Sequence, residues 1–369
     1  MRKCPYCDFY SVAGRDELLA AYVGALKAEL AHARCDVGPL PLRSVYLGGG
    51  TPTMLPPRFI GELLGTCAEL FHIDADAEIT CEANPGTVTP PGLRELRTAG
   101  VNRLSIGVQS LRDAELRFLE RVHTAEQGRE AVRQAHEAGF GNVSLDLIYC
   151  LPGQTADDWQ ATLDEALALG PSHVSAYCLQ VEEGTPLAER VDQGRVSPMP
   201  EDEQAERYRQ TVDCLQGAGF EQYEISNHAR PGAECRHNLV YWRNQPYLGV
   251  GAAAWSFTGG ERRQNVADVD AYLAGWQVGH APVAYRERCS GAQAANETLM
   301  MGLRLREGLD LSAFAERHGL DVAQARAEAI ARLEYEGLAV LSGGRLALTP
   351  AGMAVAAEIT ALLAFEGEE

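Results

Sequence analysis

The feature that most constrains this chain is a rhythm. From Asp16 to about Ala218, strand-like apolar runs alternate with helix-like amphipathic runs. Strands are expected at Ser44–Leu47, Ala77–Cys81, Arg103–Val108, Asn142–Ile148 and His173–Leu179. Helices are expected at Asp16–His32, Arg58–Phe71, Pro91–Thr98, Ala125–Ala138, Thr155–Leu169 and Glu201–Ala218. Gly100, Gly139, Gly170 and Gly219 follow four of these helices, where a left-handed C-terminal cap is needed. Strict alternation of this kind builds a parallel sheet with right-handed crossovers. Five strands, with a sixth shortened or cut off at the N-terminus, suit an incomplete (β/α)6 barrel better than a closed eight-stranded one. The expected fold class is thus α/β.

Beyond Phe220 the rhythm stops. Residues 221–289 are aromatic and loop-rich, with Tyr223, Tyr241, Trp242, Tyr247, Trp255 and Phe257. From 290 to 369 the pattern is mostly helical: Ala295–Leu305, Leu311–Arg317 and Val322–Glu336, then a hairpin of Leu338–Leu341 and Arg345–Leu348 around Gly343-Gly344. Three helices and a wing suggest a small winged-helix-like domain. Its third helix mixes Arg326 and Arg332 with Glu328, Glu334 and Glu336, which makes a poor surface for reading DNA. A packing or partner role is expected of it. The net charge of -19 and the lack of a basic patch argue against nucleic acid as a partner. No apolar run is long enough to span a bilayer, and the polar start is not a signal peptide, so a cytoplasmic location is expected.

The ten cysteines do not form a disulfide framework in a chain of this size and kind. Most lie among apolar neighbours. Only Cys4 and Cys7 have the spacing of metal ligands. A zinc site would need two more ligands, and none is suitably placed. A thioredoxin-like pair would need a preceding strand and a following helix, which Asp8-Phe9-Tyr10-Ser11 does not open.

Chemistry in parallel α/β barrels gathers at the C-terminal ends of the strands. Those ends carry Gly48-Gly49-Gly50-Thr51-Pro52-Thr53, Glu82-Ala83-Asn84-Pro85, Gly107-Val108-Gln109-Ser110 and Asp146. A glycine loop alone is an ordinary turn, and a lone Asp in an apolar strand is commonly a satisfied structural acid. Together, at successive strand ends, they indicate a ligand site. A carboxylate such as Glu82 could hold an ammonium and Arg121 a carboxylate.

These residues carry a family resemblance. Cys4-Pro5-Tyr6-Cys7, Gly49-Gly50-Thr51-Pro52-Thr53 and Leu104-Ser105-Ile106-Gly107-Val108-Gln109-Ser110 resemble the radical S-adenosylmethionine (SAM) superfamily. Asp146-Leu147-Ile148-Tyr149-Cys150-Leu151-Pro152-Gly153 narrows this to the oxygen-independent coproporphyrinogen III oxidase-like group. The resemblance implies a radical-SAM partial barrel over 1–220 and a [4Fe–4S] cluster held by three thiolates in a C-x3-C-x2-C run. It also implies S-adenosylmethionine bound at the open iron. By resemblance, Gly49, Gly50 and Thr51 contact that cofactor. Glu82, Gln109, Arg121 and Asp146 match positions that hold its amino-acid and ribose ends, and Tyr6 matches a backbone contact.

Cys4 and Cys7 match the second and third family cysteines. Counting back four from Cys4, the first would fall one residue before Met1. The Tyr-x-His-x-Pro-Phe strand of the family is missing as well. The expectation is that the start is mis-assigned and the natural protein longer; a truncated gene or a substitute ligand are the alternatives. As written, the chain is expected to assemble its cluster poorly.

Two branches of the group differ in function. The oxidase branch usually shows Cys-x-Cys where this chain has Cys7-Asp8-Phe9. The haem chaperone branch, called HemW-type, shows Cys-x-Phe and a His-Asn-x-x-Tyr-Trp motif, matched by His237-Asn238-Leu239-Val240-Tyr241-Trp242. The resemblance implies that His237 ligates haem and that haem passes to an acceptor protein. It speaks against oxidase activity on coproporphyrinogen III, the alternative function. From residue types alone, His237 reads first as a loop histidine bonded to backbone, with Tyr241 and Trp242 packing the core; the motif match reverses that order. A scaffold without a cluster is the third, non-catalytic reading.

Overall fold

The computed structural model describes residues 3–12 and 14–366. In chain order its first part holds α1 (Leu19–Val37), β1 (Pro41–Leu47), α2 (Pro57–Leu70), β2 (His72–Ala83), α3 (Pro90–Thr98) and β3 (Arg103–Gln109). These are followed by α4 (Asp113–Phe118), α5 (Ala125–Glu137), β4 (Asn142–Tyr149), α6 (Ala156–Ala168), β5 (His173–Cys178), α7 (Pro186–Asp192) and α8 (Glu201–Gly217). β1 to β5 pair in sequence order, all parallel. The five expected strands are present. The place of the sixth is not taken by residues 3–12, which form no strand. Instead two short strands, β6 (Glu221–Gln222) and β7 (Asn227–Ala229), extend the far edge, with β7 antiparallel to β5.

The helix starts follow from their capping chemistry. Thr124 and Gln127 close a capping box at α5, and Thr155 and Asp158 do the same at α6. Gly100, Gly139, Gly170 and Gly219 have positive φ, as expected of capping glycines. α1 runs five residues beyond the expected His32, to Val37. β2 is longer than expected at both ends, so Glu82 lies within the strand.

The sheet has two chemically opposite faces. Val45, Leu47, Ile79, Cys81, Leu104, Ile106, Val108, Val143, Leu145, Leu147, Val174 and Ala176 face the helices and form the main core. α2, α3, α5, α6 and α8 supply Ile60, Leu93, Val132, Trp159 and Leu215 to it. The alternate positions (Ser44 and Tyr46; Glu78, Thr80 and Glu82; Arg103, Ser105 and Gln109; Ser144 and Asp146; His173 and Ser175) face the concave side. A period-two strand places them there together. The half-barrel is therefore apolar outside and polar within.

The aromatic segment is more ordered than its composition suggests. α9 (Arg236–Trp242) carries the whole His-Asn-x-x-Tyr-Trp motif, and β8 (Trp255–Thr258), β9 (Glu261–Asn265) and, after α10 (Val269–Gln277), β10 (Val283–Arg288) form an antiparallel sheet. The last part holds α11 (Gly291–Leu303), β11 (Leu309–Asp310), α12 (Leu311–His318), α13 (Val322–Ala325), α14 (Ala327–Tyr335) and the hairpin β12 (Ala339–Ser342) and β13 (Arg345–Leu348). β11 joins that hairpin as a third strand. The single helix expected over Val322–Glu336 is two, broken at Arg326. The guanidinium of Arg326 donates to the Leu363 and Ala364 carbonyls and lies over the Phe365 ring, which is a packing role. Arg332 pairs with Glu336 on the surface.

Candidate cofactor and haem site

At the mouth of the half-barrel the two thiols lie in one turn, with the Cys7 amide donating to the Cys4 carbonyl at 3.2 Å. The turn is held from beneath. Tyr6 packs against Leu119, Ile148 and Leu151, and the Leu187 amide of α7 donates to the Pro5 carbonyl at 2.9 Å. Burial pushes the Tyr6 phenol and the Cys7 thiol upward in pKa. Arg121 is the hub of this corner. Its guanidinium donates to Asn84 Oδ1 and, at 3.0 Å, to the Gly107 carbonyl, and stands 3.5 Å from both Cys4 Sγ and the Tyr6 hydroxyl. Arg121 is thus engaged by amide groups rather than by a carboxylate.

Gly107 makes this corner possible. A Cβ there would lie 3.0 Å from Asn84 Oδ1 and 3.0 Å from Gln109 Nε2. Gln109 ends β3 with φ of 64°, a costly left-handed conformation for a residue other than glycine, and its amide nitrogen is brought beside Asn84 and Arg121. Thr51 is tied to the same group, accepting from Asn84 Nδ2 at 2.8 Å.

Glu82 stands at the next position inward. Tyr46 donates to its Oε1 at 2.9 Å, and the Gly49 amide also donates to the carboxylate. Burial, reinforced by the negative charge of Asp146, pushes Glu82 up to about 7. Gly48 is required by this pair: a Cβ there would stand 2.5 Å from Tyr46 Cε1 and 2.8 Å from Glu82 Oε1. Asp146 accepts from Ser105 at 3.0 and 3.1 Å, and burial raises its pKa too. Two carboxylates in one desolvated cradle, with none of the ion pairs among the described residues made to Glu82, are the chemistry that takes up an ammonium or ribose hydroxyls.

His237 lies deeper, on α9. Its ring stacks on Tyr46, with centroids 5.0 Å apart and planes at 20°. Nδ1 is 2.9 Å from Ser44 Oγ and Nε2 is 3.0 Å from the Tyr241 hydroxyl. Burial pulls its pKa down to about 4, so the imidazole is neutral with a lone pair near pH 7. The loop reading with backbone bonds is corrected: His237 is in a helix and both ring nitrogens meet side chains. Glu78 anchors that helix. Its carboxylate accepts from the Arg236 amide at 2.9 Å, the His237 amide at 3.0 Å and Cys235 Sγ at 3.4 Å. At the other end Arg304 lies over the Trp242 ring and Arg317 donates to the Asn244 carbonyl. α9 is a strut between the half-barrel and the C-terminal part.

The sequence-derived set therefore falls into three adjoining groups: Cys4, Tyr6, Arg121 and Gln109; Gly49, Glu82 and Asp146; and His237. Thr51 reaches the first through Asn84. Gly50 is exposed beside Gly49, and no contact marks it. Sequence reasoning passed over Tyr46, Glu78 and Arg103, and gave no role to Asn84 and Ser105 although both stand in the runs it quoted. Their signal was the period-two run of polar residues along β1, β2 and β3, which marks a polar concave face. Among the described residues no three metal-ligating side chains assemble. Cys4 and Cys7 are two thiols suited to iron, and the position of the first family cysteine lies outside the described residues.

Residues 1–166 match the family model of the radical SAM superfamily, and residues 290–355 match that of the HemN C-terminal domain. A heme chaperone HemW from Mycobacterium tuberculosis is 37% identical over 361 residues, 96% of this chain and 90% of that protein. The chain belongs to the HemW family. A second HemW, from Bacillus subtilis, is 33% identical over 99% of this chain and 96% of its own length. Among solved structures, coproporphyrinogen III oxidase (HemN) from Escherichia coli shares the fold at a TM-score of 0.82, with 24% identity over 98% of this chain and 87% of that one. No helix among the described residues of this HemW family member is long and apolar enough to cross a membrane.

Proposed function

We propose that this chain is a haem chaperone that binds haem through His237 and passes it to an acceptor protein. The observation that carries the reading is His237 itself: a neutral imidazole, clamped between Ser44 and Tyr46 of β1, with Nε2 turned to the partly exposed Tyr241 hydroxyl. Nε2 becomes an axial ligand for iron when the Tyr241 hydroxyl gives way. Tyr241 and Tyr247, edge to face at 4.6 Å, offer apolar surface beside it.

The same scaffold suits S-adenosylmethionine. Glu82 would receive its ammonium, Asp146 and Gln109 its polar groups, and the Gly49–Thr51 loop its backbone contacts. Arg121 would order the corner between that cofactor and the thiols. Cys4 and Cys7 would each hold iron of a [4Fe–4S] cluster, which when bound would supply an electron to the sulfonium. The remaining duty of the chain is to bind, orient and keep water out.

Haem titration followed by the Soret band tests the ligand. His237→Ala is expected to weaken haem binding at least about tenfold and to shift the band; an unchanged band and affinity remove His237 from the site. Incubation with coproporphyrinogen III, reductant and S-adenosylmethionine is expected to yield no protoporphyrinogen IX. Its appearance would overturn the chaperone reading.

A further inference from the structure

The two sites share one side chain. Tyr46 donates its hydroxyl to Glu82 Oε1 at 2.9 Å and lays its ring on the imidazole of His237 at 5.0 Å. Among the described residues, Tyr46 is the side chain that is hydrogen-bonded to the one and ring-stacked on the other, while Arg103 lies near both as a charge. The contact is tight on the Glu82 side, because the Gly48 backbone leaves no room for even a methyl group between the pair. It is tight on the His237 side as well, since Ser44 and Tyr241 occupy both ring nitrogens. In this arrangement Tyr46 holds His237 in a pose whose lone pair is already used.

We propose that Tyr46 is a positioning residue linking the two sites: while its hydroxyl is held by Glu82 its ring keeps His237 closed, and a cation taken up by Glu82 loosens Tyr46 and frees the imidazole to ligate haem. The inference rests on the haem role of His237 proposed above. Its physical basis is competition. An ammonium approaching Glu82 draws on the same oxygen that anchors the Tyr46 hydroxyl. A weakened anchor lets the ring shift, and the stacked imidazole no longer has a fixed wall behind it. By linkage, occupation of either site then favours the other. The ligand class at Glu82 is an organic ammonium, and the cargo at His237 is an iron porphyrin.

A double-mutant cycle on the full-length chain tests this without any bound cofactor. Haem is titrated into wild type, Tyr46→Phe, Glu82→Leu and the double variant, with His237→Ala as the control. Glu82→Leu, which removes the acceptor of the Tyr46 hydroxyl, is expected to tighten haem binding about fivefold, the lower end of ordinary coupling. Tyr46→Phe is expected to tighten it similarly, and the double variant to match Tyr46→Phe alone. A Glu82→Leu effect of equal size in both backgrounds, or none in wild type, overturns the link. Gly48→Ala serves as a second variant, because it parts Tyr46 from Glu82 while keeping both side chains; it is expected to mimic Glu82→Leu. A readout that mere loss of stability does not produce is the His237 ring-proton resonance of the haem-free protein. Glu82→Leu is expected to move it when Tyr46 is present and to leave it in place when Phe stands there. If His237→Ala binds haem as wild type does, the haem reading itself fails. If that control loses haem while the cycle is additive, only the link fails.

Discussion

Glu82 is a carboxylate kept in a cradle that disfavours its charge. Its folded pKa of about 7 lies above the ordinary value, so the folded state prefers it protonated. As pH rises from about 4.5 to about 7, the unfolded chain releases this proton and the folded chain does not, and stability falls across that window. Replacement by the neutral isostere removes the cost. Glu82→Gln is therefore expected to raise the melting temperature by ~2–5 °C at pH 8 and by little at pH 4.5, as calorimetry at the two pH values would measure. An equal change at both would mean that the shift does not exist. The burial that costs Glu82 stability also fits it to receive a cation, a trade familiar at binding sites.

At the scale of elements, α9 is only seven residues long and would not hold together on its own. Glu78 supplies what its N-terminus lacks, receiving two backbone amides on a buried carboxylate. Glu78→Ala is expected to cost about 2 kcal/mol, near the upper end for lost caps, and to weaken haem binding with it. Urea denaturation and Soret titration of the same sample would check both halves. Glu78→Gln keeps one acceptor oxygen and is expected to fall between. Loss of stability with untouched haem affinity would separate α9 from the haem site. At the mouth, the turn bearing Cys4 and Cys7 depends on Tyr6 packing and on Arg121. Cys4→Ala and Cys7→Ala are each expected to lower iron uptake in anaerobic reconstitution, measured by iron counting, with no change in melting temperature beyond a degree or so.

Across the whole molecule, polar groups are buried in unusual places because the half-barrel is lined by them. His173 is buried with Ser144 at 2.8 Å and Tyr223 at 2.9 Å, bonded through its two ring nitrogens. Burial holds His123 and His228 at about 4 and His173 well below its ordinary value. Depressed folded values make the sign clear. Their contribution is fully present above about pH 6.5 and is lost as pH falls toward 4, where the unfolded chain takes up protons that the folded one refuses. The histidine contribution opposes that of Glu82, so it is read from a variant rather than from the wild-type curve. His123→Gln is expected to raise the urea midpoint relative to wild type more at pH 4.5 than at pH 7.5; an equal difference at the two pH values would contradict the assignment. Both terms follow from the same inward-facing polarity that makes the site.

Much of this was legible in order along the chain. The alternation of Leu and Val runs with amphipathic helices marked β1 to β5 and their crossovers, because burial on the outer face demands apolar residues whatever the ligand. Gly100, Gly139, Gly170 and Gly219 marked helix ends for a local steric reason. The glycine loop, Glu82, Gln109 and Asp146 could be singled out as candidates because strand ends are where such folds do chemistry. Tyr46, Glu78 and Asn84 were not, since their partners lie 36, 158 and 37 residues away and no local pattern encodes such distances. The break at Arg326 escaped periodicity because its cause, the carbonyls of Leu363 and Ala364, is also remote. Sequence by itself determined which residues face the core and which chemistry the chain can hold. Only the tertiary structure decided that Glu82 and His237 share Tyr46, because a stacking contact between β1 and α9 exists nowhere until the half-barrel has curled.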